Sequence, residues 1–121
     1  MTKSHLYYYS ILILFLFNMN ASSEEKINYS NDKIQIKNYK WEKEEFYNKV
    51  ITQFDIFNKD SSQIDIITII FTFYDSNDSI IIQKKETINI KLKPNQWKSI
   101  KELNVGYVKG NISTSTLQIS N

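Results

Sequence analysis

Residues 64–75, IDIITIIFTFYD, are apolar, β-branched and free of Gly and Pro to a degree that constrains the whole chain. In an extended backbone Ile67, Ile69, Phe71 and Phe73 fall on one face. Ile66, Thr68, Ile70, Thr72 and Tyr74 fall on the other. Both faces are largely apolar, which predicts a central, mostly buried strand. Asp75-Ser-Asn-Asp-Ser79 follows, and such side chains bond to the backbone of tight turns, so the strand stops there.

The length of 121 residues suits one domain. Hydrophobic residues at 41% and charged residues at 23% are the balance of a folded chain, not a disordered one. A formal net charge of +2 supplies no strong field toward nucleic acid or anionic lipid. Apart from His5, every basic residue is Lys, so the planar Arg fork that reads phosphate and guanine is missing. AT-rich coding, which favours Ile, Asn, Lys and Tyr, accounts for the same bias. Cysteine is absent, which excludes disulfides, thiolate nucleophiles and zinc–thiolate sites. Stability must come from the core alone.

Residues 1–23 have the form of an export signal. Lys3 and His5 precede an uncharged stretch, LYYYSILILFLF, over residues 6–17. As a helix rising about 1.5 Å per residue it reaches roughly 18 Å, short of a ~30 Å hydrocarbon core. Ala21 and Ser23 place small residues at −3 and −1 of a cut between Ser23 and Glu24. An uncleaved anchor is the alternative. No Cys follows the apolar stretch, which excludes a lipoprotein anchor. Removing residues 1–23 deletes Lys3 and the single His, leaving 15 − 1 = 14 Lys against 13 acidic residues.

The rest divides into a polar, flexible lead-in over residues 24–31 and a domain over residues 32–121. Ile34 and Ile36 alternate as in a half-buried strand. Trp41 and a charged cluster, residues 42–45, come next. Residues 46–57 are ambiguous. Phe46, Val50 and Phe54 fit a helical spacing, whereas Val50, Thr52, Phe54 and Ile56 fit a strand, which the β-branched content favours. Ile80–Ile82 begins a return hairpin. Ile88, Ile90 and Leu92 alternate as a separate strand, ended by Pro94-Asn95-Gln96. Further strands are expected at residues 97–105 and 112–119, with Gly106 and Gly110 around the bend between them. About seven short strands and no strong helix predict an all-β, immunoglobulin-like antiparallel sandwich.

Phe71-Thr72-Phe73-Tyr74-Asp75 resembles the motif that names the FxLYD domain, an immunoglobulin-like module of exported prokaryotic proteins, with Phe73 in place of Leu. The family's later Leu-x-Pro-Gly-Glu is matched here by Leu92, Lys93 and Pro94 but not by Asn95 and Gln96. Its upstream strand, ending in Asn followed by Ser, is similar to Ile56-Phe57-Asn58 with Ser61 and Ser62. The likeness spans roughly residues 34–105 and implies no enzymatic activity.

The residues themselves offer little chemistry. Without residues 1–23 no His remains to act as the base of a hydrolytic triad. Any Ser–Lys pairing is expected by chance among so many of both. Glu44 and Glu45 are adjacent, so on a strand they point to opposite faces and cannot flank one bond. Asp75, Asn77 and Ser79 have the spacing of calcium-loop ligands, but Ile80 stands at the loop Gly position and the twelfth-position Glu is missing, so a hairpin turn is expected. No cofactor or metal follows from the sequence.

Tyr39, Trp41, Tyr47 and Phe57 are the candidate contact patch, since exposed Trp and Tyr are favoured anchors. The competing expectation is that Trp41 and Trp97 pack between the sheets. The sequence thus points to an exported, non-enzymatic module that contacts another envelope protein, with no nucleic acid and no membrane once the signal is cut. A carbohydrate-binding or adhesive module is the alternative.

Overall fold

The computed structural model describes residues 26–120, so the export signal and its Ser23–Glu24 junction lie outside the described residues. Seven strands follow one another: β1 (Ile27–Ser30), β2 (Ile34–Lys43), β3 (Lys49–Asn58), β4 (Ile64–Tyr74), β5 (Ile80–Leu92), β6 (Trp97–Tyr107) and β7 (Thr114–Ile119). They form two sheets of order β1-β2-β3-β6 and β5-β4-β7, antiparallel throughout. The chain changes sheet three times, between β3 and β4, between β5 and β6 and between β6 and β7, while β3 pairs with β6 and β4 with β7. Strands B, C, E and F of an immunoglobulin sandwich have this same interlock. The expected all-β sandwich is therefore the observed one.

The core sits where β4 faces β2 and β3. Ile67, Ile69, Phe71 and Phe73 are each no more than 1% exposed. Burying side chains of this size contributes about 2 kcal/mol apiece. Phe71 meets Tyr39 at 5.8 Å and Phe54 at 6.3 Å between ring centroids. Ile34, Ile36, Val50 and Ile56 complete the opposing wall.

β4 is central in its sheet, as its composition predicts, but it is buried throughout on one face only, Thr72 being the one buried residue of the other. On the other face Ile66 is 59% exposed, and Thr68, Ile70 and Tyr74 are half-buried. Cross-strand neighbours, not a second layer, cover this side. The Thr68 and Thr87 hydroxyls bond at 2.9 Å, and Gln83 Nε2 donates to Thr72 Oγ1 at 3.1 Å.

Two other boundaries differ from the sequence reading. The lead-in at residues 24–31 contains β1, whose Tyr29 lies opposite Ile36 and packs on the core. Its register is held across a bulge, where Tyr39 N donates to Asn28 Oδ1 and Asn38 N to Lys26 O. Residues 80–92 form one strand of 13 residues, not two. β5 is a sheet edge, so the Lys84-Lys85-Glu86 run can be solvated without breaking the ladder. Lys84 lies opposite Phe71 at the sandwich rim, an inward charge of the kind that blunts an edge. The strand favoured over a helix for residues 46–57 is observed as β3, which a tight turn joins to β2. Glu44 N donates to Lys49 O and Asn48 takes a φ of 56°, which an Asn tolerates.

Asn58 ties the far end together. Its side chain is fully buried, and Nδ2 donates to Ser62 O and Leu92 O, both at 2.9 Å. Oδ1 accepts from Asp60 N at 2.8 Å, and the Asn58 backbone exchanges bonds with Asn95 and Gln96. One amide thus joins the β3–β4 crossing to the β5–β6 turn. Asn58→Ala orphans the buried Leu92 carbonyl and the part-buried Ser62 carbonyl and is expected to cost about 3 kcal/mol in urea unfolding. Ser61→Ala, an exposed neighbour, is expected to stay within about 0.5 kcal/mol of the parent.

Candidate functional site

The four candidate aromatics sit in three different places. Tyr39 and Trp41 share the inner face of β2. The Tyr39 hydroxyl bonds Ser115 Oγ at 2.7 Å across the sandwich, and Trp41 packs edge-on against Phe73 at 6.4 Å and 84°. Both therefore belong to the core margin. Tyr47 lies at the β2–β3 turn and is 70% exposed. Phe57 alternates with the buried Phe54, Ile56 and Asn58, so it faces out from β3 and stacks on Trp97 at 4.7 Å. The expectation for tryptophan is met by Trp41 and not by Trp97, which is 41% exposed on the outer surface.

Two exposed clusters emerge instead. The first is the end of the sandwich made by residues 44–48, 75–79 and 108–113. Phe46 at 92%, Tyr47 at 70% and Tyr107 at 65% exposure stand there. Tyr107 pairs with Lys49, and Val108 N donates to Asn48 O, which seats the end of β6 against the hairpin. Polar groups rim it: Lys49 meets Glu44 at 3.8 Å, and Lys43 Nζ donates to Gly110 O. A recess of about 350 Å³ opens beside these residues, between Trp41, Asn48 and Ile112. Of this cluster the sequence reading singled out Tyr47 alone. The signal for Phe46 was its place in EKEEFYNK, where a lone aromatic pair amid charges has no apolar neighbours to bury it.

The second cluster is the outer face of the four-stranded sheet. Gln35, Phe57 and Trp97 form one cross-strand row, and Lys37, Asp55 and Ser99 the next. The Lys37 ammonium sits 4.0 Å above the Trp97 ring. Asp55 Oδ1 accepts from Ser99 Oγ at 2.6 Å and Oδ2 from Asn38 Nδ2 at 2.9 Å. The Ser99 bond, then the Asn38 bond, with Lys37 and Lys101 nearby, hold this carboxyl below its usual range.

The FxLYD-like residues build the scaffold. Phe71, Phe73 and Leu92 are fully buried, and Tyr74 is half-buried beside Thr116. Asp75 Oδ1 accepts from Asn77 N at 2.8 Å and Ser79 N at 3.0 Å, closing the β4–β5 turn. Pro94 opens the turn before β6. Compared with protein-family models, curated proteins and solved structures, the chain matches none.

Burial raises the Tyr39 phenol to about 12, with the Ser115 bond opposing. An unfolded tyrosine titrates near 10. Its neutral form is thus favoured by folding, and that contribution is whole below about pH 10 and lost as pH rises toward 12. Ultraviolet tyrosinate titration is expected to show a late-titrating phenol in the parent that is missing from Tyr39→Phe.

Proposed function

We propose that this chain is an exported, non-enzymatic β-sandwich module that acts by protein–protein contact in the cell envelope or periplasm. Its contact surface is the end of the sandwich bearing Phe46, Tyr47 and Tyr107. The observation that carries this reading is their exposure of 92%, 70% and 65% on one end of the domain. Aromatic side chains left in water by the fold, within a polar rim, have the composition of an interface core. The charged rim of Lys43, Glu44, Glu45 and Lys49 keeps the free module soluble and orients a partner.

Export is supported by the amino-terminal sequence and by the position of β1. A cut between Ser23 and Glu24 leaves Glu24, Glu25 and Lys26 ahead of Ile27 and keeps every strand of the described residues. The FxLYD resemblance is supported at the positions where the motif departs. Asn95 stands where the family has Gly and takes a φ of 61°, the left-handed region that Asn tolerates best after Gly. Gln96 stands where the family has Glu, and its Oε1 accepts from Lys93 N at 2.8 Å, as a carboxylate oxygen would. A Gly and a Glu at these two positions would suit the same turn.

A photo-crosslinking residue at Phe46 is expected to capture a partner in the native host. The triple variant Phe46→Ser, Tyr47→Ser, Tyr107→Ser should fold with the parent's unfolding midpoint and lose that partner on co-purification. Recovery of the same partner by the triple variant would refute this surface. Intact mass of the protein from the host is expected to begin at Glu24; a mass that retains residues 1–23 would refute cleavage.

A further inference from the structure

We propose that Asn77, at the tip of the β4–β5 turn, is an attachment site for an N-linked oligosaccharide. Asn-x-Ser is the acceptor triplet for such a chain in an exported protein, and it belongs on a surface loop. The triplet occurs at Asn20, Asn28, Asn77 and Asn111. A chain this rich in Asn and Ser makes some of these by chance, so the sequence alone selects none. Asn20 lies outside the described residues, and the fold separates the other three.

Asn28 is spent on the scaffold. It is half-buried in β1, its Oδ1 accepts from Tyr39 N at 2.9 Å, and Ser30 Oγ accepts from Lys59 Nζ at 2.9 Å. Asn111 is exposed, but its triplet is pinned on both sides. Gly110 O accepts from Lys43 Nζ, Ile112 packs on the core, and Ser113 N donates to Tyr74 O at 2.7 Å. Asn77 has neither restraint. Residues 76–79 are all exposed, and the Asn77 amide nitrogen and the Ser79 hydroxyl have no partner among the described residues.

The bonds that close this turn run only among residues 75–79. Asp75 N donates to Ser79 O at 2.9 Å and Asp78 N to Asp75 O at 3.1 Å, while Asp75 Oδ1 holds Asn77 N and Ser79 N. Opening the turn into a transferase groove therefore breaks no hydrogen bond to the rest of the domain, which keeps the local cost low. Asp75 adds a feature the other triplets lack. Its Oδ2 has no partner among the described residues, two positions before the acceptor, and is open to a cation of the transferase. Asn28 and Asn111 carry Lys26 and Lys109 at that offset, which the same cation repels.

The donor is an oligosaccharide carried on a lipid diphosphate, and the catalyst is a transferase of the host. A bond forms between Asn77 Nδ2 and C1 of the first sugar. The bond from C1 to the diphosphate oxygen breaks, and the lipid diphosphate leaves with its electron pair and the proton given up by the amide. The inference rests on the export reading, since only an exported chain meets such a donor.

The test is mass spectrometry of the protein purified from its native host. Trypsin, cutting after Lys59, Lys84 and Lys109, isolates Asn77 in residues 60–84 and Asn111 in residues 110–121. The first peptide is expected to gain the mass of a whole number of sugar residues, and the second to stay unmodified. Asn77→Gln and Ser79→Ala should each lose the added mass while keeping the parent's unfolding midpoint, and Ser79→Thr should retain it. An unmodified 60–84 peptide in the parent overturns the proposal, as does sugar on residues 110–121 instead, or sugar that survives Asn77→Gln. Intact mass tells the two readings apart. A chain that begins at Glu24 with an unmodified 60–84 peptide overturns this site and leaves export standing. A modified peptide on a chain that retains residues 1–23 supports the site and refutes cleavage.

Discussion

Phe71 is the contact on which the sandwich depends. It projects from the middle strand of the smaller sheet and is met from the other sheet by Tyr39 and by Phe54. Those two partners belong to adjacent strands, so a single ring fixes both the spacing of the layers and their lateral register. Ile69 and Phe73 repeat the same insertion one step to either side, and Trp41 closes over Phe73. Without disulfides, this line of interdigitated rings and Ile side chains must offset the entropy of ordering the chain.

That dependence explains why the architecture was legible while its edges were not. Alternation over residues 64–75 is long and unbroken, because a strand with one fully buried face must keep every second residue apolar. Edge strands carry no such requirement. β1 contributes one inward aromatic, Tyr29, and is held by side-chain and backbone bonds from Asn28 and Lys26, so it left no periodic trace. β5 carries charges through its middle because the rim of the sandwich lets them reach water, and the sequence therefore read as two strands. The strand count agreed with expectation while its members differed: one strand was gained before residue 32 and two became one after residue 79. The second apolar face of β4 misled for a related reason. β-branched residues suit a pleated surface whether or not a further layer covers it.

The candidate site was less legible, since alternation tells inside from outside only where the register is unbroken. Tyr39 lies within a bulge between Lys37 and Lys40, with Asn38 at a φ of 59°, and Trp41 follows it. The bulge puts Tyr39 in phase with the core, whereas simple alternation from Ile34 and Ile36 assigns it to the opposite face. Phe57 keeps phase with the outward residues, and it alone of those two strands' candidate aromatics reaches the solvent side. Its partner Trp97 begins a strand just after a turn, where no preceding alternation exists to orient it.

The division of labour within the chain follows from these placements. Every FxLYD-like position described, together with Asn58, is spent on holding two layers and three turns. Phe71 and Phe73 fill the core, Asp75 closes the β4–β5 turn, and Asn95 and Gln96 shape the turn that Asn58 clasps. A motif of that kind specifies a scaffold and is silent about ligands. On the proposed reading, contact specificity resides in residues the scaffold does not need, the ones left in water. Phe46, Tyr47 and Tyr107 lie at strand ends, and Phe57 and Trp97 on the solvent side of a sheet whose inner face is already filled. Because neither cluster contributes to the buried core, each is free to change while the same pair of sheets persists.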